Sequence, residues 1–69
     1  MMRIRRSADG FWLRMSGEGD VRSVSWVADR EEAFLFGRDD ERVWMVMRGL
    51  ADMGVDLSTL EVCGGWIGV

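Results

Sequence analysis

The chain has 69 residues, 48% of them apolar, with nine basic and twelve acidic side chains for a net charge of −3. That composition belongs to a globular chain rather than a disordered one, its length suits one domain spanning 1–69, and an acidic balance argues against a nucleic-acid binder. His, Lys, Pro, Tyr, Asn and Gln are all absent, so the commonest general base and metal ligand is missing.

The N-terminal third reads as strands. MRIRR (2–6) alternates Met2, Ile4 and Arg6 against Arg3 and Arg5. SADG (7–10) has turn chemistry, with Asp before Gly. FWLRMS (11–16) alternates Phe11, Leu13 and Met15 against Trp12, Arg14 and Ser16, so the two runs are expected to form a hairpin. After the turn GEGD, VRSVSWV (21–27) is a third strand rich in β-branched residues.

The period changes at Asp29. Asp29 and Glu32 stand at capping-box spacing and are expected to open a short helical turn through Ala33, with Phe34 to Phe36 turned inward. Gly37 ends it. Asp39 or Asp40 is expected to cap the main helix, with Asp40 and Glu41 at the positive end of its dipole. Val43, Val46, Met47 and Leu50 follow helical spacing and form its apolar stripe, with Trp44 beside it. Gly54 stands where a C-terminal glycine belongs. TLEVC (59–63) reads as a last strand, followed by GGWIGV. The order β-β-β-α-β predicts an α+β domain, an antiparallel sheet with one main helix on one face.

Chemistry is sparse. With one cysteine, Cys63, no internal disulfide and no zinc spacing exists, and Cys63 is expected to be a buried apolar residue. No phosphate-binding glycine motif is present. No catalytic residue, metal site or cofactor is expected, and the chain is not expected to be an enzyme. No apolar run approaches a membrane span, which leads to the expectation of a soluble, cytoplasmic protein of a bacterial host without nucleic-acid or membrane contacts of its own.

Two features suggest a partner. Four tryptophans are present: Trp26 and Trp44 are expected in the core, whereas Trp12 falls on the outer face of its strand and Trp66 in the glycine-rich tail. Trp and Arg are the residues most enriched at binding hot spots. The stretch DREEAFLFGRDDER (29–42) holds six acids and three arginines. Residues 1–28 carry five Arg against three acids, and 29–69 carry four against nine, so the negative charge is concentrated in the second part. Asp29, Glu31, Glu32, Asp39, Asp40 and Glu41, with Trp12, are the candidate partner-binding residues. Such an acidic surface suits a protein partner with a basic, nucleic-acid-binding groove.

In its small size, acidity, strands with one helix and lack of catalytic groups, the chain resembles the small phage and prophage proteins that inhibit bacterial defence, anti-CRISPR proteins in particular, and the stretch WVADREEAFLF (26–36) leading into a helix is similar to short strand–strand–helix–strand phage proteins. The resemblance implies a non-catalytic inhibitor that binds a CRISPR effector complex and blocks target DNA, as a DNA mimic would. Two alternatives stand beside it: a protein-interaction accessory module anchored by exposed Trp, and a homodimeric structural protein. The chain is expected to be a monomer or a homodimer.

Overall fold

The computed structural model describes residues 1–17, 20–37 and 40–64. Asp39 and Trp66 lie outside these. Four strands form one sheet in the order β3-β2-β1-β4: β1 (Met2–Arg6), β2 (Trp12–Ser16), β3 (Asp20–Val27) and β4 (Leu60–Gly64). All neighbours run antiparallel. One helix, α1 (Arg42–Asp52), packs on one face. The α+β architecture read from the sequence is the one observed.

The core follows from the alternation. Met2 and Ile4 of β1, Leu13 and Met15 of β2, Phe36, and Val43, Val46 and Leu50 of α1 form one buried cluster. Val21, Val24, Trp26, Phe34, Met47, Val55 and Leu60 close its sides. Trp26 therefore packs against the core as expected. Trp44 does not: it is 70% exposed, because at 100° per residue it points away from the Val43, Val46, Leu50 stripe.

The β1–β2 hairpin is closed by Asp9, which grips Arg6 at 2.6 and 3.0 Å and accepts from the Phe11 amide. Gly10 follows with a φ of +75°, and a Cβ there would stand 3.1 Å from the Arg5 guanidinium. At its other end α1 stops in a Schellman motif: Val55 donates to the Leu50 carbonyl and Gly54 to that of Ala51, both at 3.0 Å, with Gly54 at φ +93°.

The apolar run FLF does something the period does not announce. Phe34 donates its amide to the Leu13 carbonyl of β2 at 2.8 Å. Phe36 exchanges two hydrogen bonds with Met2 of β1, at 2.7 and 2.8 Å. The segment thus bridges from β2 to β1, whose direct register is carried by Arg5 opposite Trp12. Phe34 and Phe36 turn inward with ring centroids 4.9 Å apart, and the intervening Leu35 faces out, as the alternation of an extended segment requires. Leu35 thereby departs from the expected inward run.

Candidate functional site

Before this bridging segment, a 3₁₀ turn spans Arg30–Glu32. It lies on the sheet face away from α1. Glu32 pairs with Arg14 of that face at 3.1 Å. Asp29 accepts from the Glu31 amide at 2.9 Å. The reciprocal half of a capping box is not made, since the Glu32 carboxylate is engaged by Arg14 instead.

After it, the chain emerges on the helix side. Asp40 accepts from the Arg42 amide at 2.9 Å and holds the Arg42 guanidinium at 2.6 Å. These bonds, the side-chain contact first, pull its carboxyl down to about 2. Glu41 occupies the cap position with no side-chain capping bond, so the capping work expected of the acids falls to Asp40 alone among the described residues.

The acidic run is thereby divided. Asp29, Glu31 and Glu32 belong to one face of the sheet, Asp40 and Glu41 to the other, and Asp39 is outside the described residues. Two of the five described carboxylates are engaged by arginine, Glu32 by Arg14 and Asp40 by Arg42. Asp29, Glu31 and Glu41 are exposed. These five carboxylates do not form one contiguous patch, because the sheet stands between the two groups.

Trp12 lies where its alternation put it, on the face away from α1, half-buried. Strand pairing sets its neighbours. Arg5 is directly opposite on β1, and Arg5 in turn faces Glu61 on β4, with an ion pair of 3.2 Å. Arg14 follows two residues along β2 on the same face, and Arg3 lies opposite Cys63. Arg3 has a buried Nε without a hydrogen-bond partner. Arg30, in the 3₁₀ turn, is close enough to Cys63 to act on its thiol. Burial first, then Glu61, raises that thiol above its ordinary value, while Arg5 and Arg30 oppose the rise. Cys63 is half-buried on this face rather than buried in the core, and a thiol held protonated is a poor nucleophile. The result is a tryptophan directly opposite Arg5 and two residues from Arg14, on a face that also carries the Arg5–Glu61 and Arg14–Glu32 ion pairs.

The helix side offers a second surface, built on Met45, which lies off the apolar stripe, and on Trp44, which was expected in the core. Trp44 and Met45 are 70% and 72% exposed. Met45 also lines a groove of about 260 Å³ with Val21, Arg42 and Val46. The available signal was angular: Trp44 lies about 100° from Val43 and further still from Val46 and Leu50, so a strict helical wheel excludes it from the stripe.

Among the described residues, no cluster of three His, Cys, Asp or Glu side chains could hold a metal ion, and no helix is long and apolar enough to cross a membrane. No protein-family model, curated protein or solved structure matches the chain.

Proposed function

We propose that this chain is a non-catalytic binding protein that acts by covering part of a partner protein, with the Trp12 face of the sheet as its contact surface. The observation that supports this best is the setting of Trp12: an indole on a rigid strand, directly opposite Arg5 and near Arg14. Interfaces favour these two residue types over Lys and Glu at their centres. The exposed carboxylates of Asp29 and Glu31 lie on the 3₁₀ turn of the same face and suit a partner rich in Lys or Arg, as a nucleic-acid-binding groove is.

The narrower reading is an inhibitor of a CRISPR effector complex, and it rests on resemblance in size, acidity and pattern. Its DNA-mimic form asks carboxylates to act together, and the division of the run leaves that role to Asp29 and Glu31 on the Trp12 face. Direct contact with the partner's own protein surface, anchored by Trp12, fits the geometry better than mimicry of a phosphate ladder.

The test is affinity capture from bacterial lysate with tagged wild-type chain, read by mass spectrometry and repeated with Trp12→Ala, Glu31→Arg and Trp44→Ala. A specific partner retained by wild type and Trp44→Ala, lost with Trp12→Ala, and weakened by Glu31→Arg at low salt is the expected pattern. Equal capture by wild type and Trp12→Ala overturns the proposal. With the captured protein in hand, a DNA-binding assay on that protein decides whether covering it inhibits nucleic-acid binding.

A further inference from the structure

The outer surface of α1 carries a self-complementary pattern. At 100° per residue, Glu41, Trp44, Met45 and Arg48 fall within an arc of about 100°, opposite the buried stripe of Val43, Val46 and Leu50. Trp44 and Met45 are its most exposed apolar members. Glu41 and Arg48 are exposed, and among the described residues neither side chain has an ion-pair partner. Glu41 and Arg48 stand equally far along the axis from the midpoint between Trp44 and Met45.

That symmetry has a geometric meaning. Two copies of α1 packed antiparallel about a two-fold axis through this midpoint bring each Glu41 to the Arg48 of the other copy. The same operation sets each Trp44 beside the Trp44 of the other copy and each Met45 beside the other Met45, with the groove lined by Val21, Arg42, Met45 and Val46 on the Met45 flank. An isologous contact requires one patch to complement itself, and this one does so in both charge and apolar surface.

We propose that the chain forms a homodimer through this α1 face. The occupant is a second copy because the charges complement under a two-fold operation: a basic partner would leave Arg48 opposed, and an acidic one would leave Glu41 opposed. The dimer is weak. Eleven helical residues make a contact about 16 Å long and about 10 Å wide, on the order of a few hundred Å² in all and short of the roughly 1,000 Å² of a stable interface, so half-association falls on the order of 0.1 mM. The arrangement leaves both Trp12 faces pointing outward, and the inference does not depend on what those faces bind.

Sedimentation equilibrium from about 10 µM to 1 mM tests it, since that range brackets the expected half-association. The mass is expected to rise from 7.9 kDa toward twice that value. Trp44→Ala abolishes the rise. Glu41→Arg alone and Arg48→Glu alone each weaken association about tenfold, and the double charge swap restores it. Far-UV circular dichroism checks that each variant keeps its fold, and these exposed positions are chosen so that it does. A wild-type mass that stays at one chain throughout overturns the proposal, as does a double swap no better than its parents or a dimer indifferent to Trp44→Ala.

Discussion

The guanidinium of Arg6 stands 4.6 Å from the ring centroid of Trp26 and 5.9 Å from that of Phe11, while Asp9 holds it from the turn. One side chain therefore ties the β1–β2 turn to β3. The Asp9 contact raises the Arg6 pKa and lowers that of Asp9. Arg6→Lys keeps the charge and loses both the planar stack and the two-pronged grip. A loss of about 1 kcal/mol is expected, read by urea unfolding, with a shift in tryptophan emission as Trp26 loses its cover. An unchanged midpoint would mean that the stack contributes nothing beyond charge.

Phe36→Ala is expected to be severe. Phe36 is fully buried and its backbone is paired to Met2. Truncating a buried Phe costs about 3–5 kcal/mol, and a domain of this length has only about 3–10 in total. The variant should be largely unfolded by near-ultraviolet circular dichroism at 25 °C. Leu35→Ala, one residue earlier and facing outward, should remain folded.

Gly49 sets how closely α1 lies on β3. A Cβ at this position would stand 3.0 and 3.2 Å from the two Val21 methyls. Alanine gains about 1 kcal/mol of helix propensity but must push Val21 aside, and overpacking of this kind costs about 1–3 kcal/mol. Gly49→Ala should therefore destabilise by about 1 kcal/mol in denaturant unfolding. In a Val21→Ala background the same change should stabilise. Independent, additive effects would show that the crowding is relieved by backbone movement.

The acid limb of stability should carry the signature of Asp40. Its carboxyl titrates at about 2 in the folded chain against an ordinary value of 3.8. A folded pKa below the unfolded one means that the unfolded state takes up the proton first. The contribution of the Arg42 contact is thus complete above about pH 4 and lost as pH falls toward 2. Asp9 and Asp56 are shifted in the same direction. Unfolding midpoints measured from pH 2 to 5 should fall less steeply for Asp40→Asn than for wild type, and parallel curves would show that the Asp40–Arg42 contact does not persist in solution.

Much of the fold was legible because alternation and helical spacing are local. Met2, Ile4, Leu13 and Met15 declared the buried face of the strands, and Val43, Val46 and Leu50 declared that of the helix. Gly54 marked the helix end because only a residue tolerant of positive φ closes a Schellman turn. What escaped was relational. FLF is too short a run to carry a period, so nothing in it announced that Phe34 and Phe36 would bond to different strands. Asp29, Glu31 and Glu32 are close in the chain to Asp40 and Glu41, and only the path of residues 33–36 reveals that a sheet separates the two groups. Trp44 is exposed although apolar, because the angle around the helix decides which side chains face the sheet.

The bridge at 33–36 also bears on the order in which the molecule comes apart. β1 holds β4 along five register pairs, from Met2–Gly64 to Arg6–Leu60, and β2 holds β3 along its own ladder. In backbone pairing, among the described residues, the two halves meet through the hairpin turn, the Arg5–Trp12 pair and three amides, those of Phe34, Phe36 and Met2. Loosening that seam frees the first and last strands as one unit while the middle hairpin stays intact. Hydrogen exchange should show the amides of Phe34 and Phe36 opening together, ahead of those inside either ladder, so that a segment contributed by a loop acts as the zipper of the whole sheet.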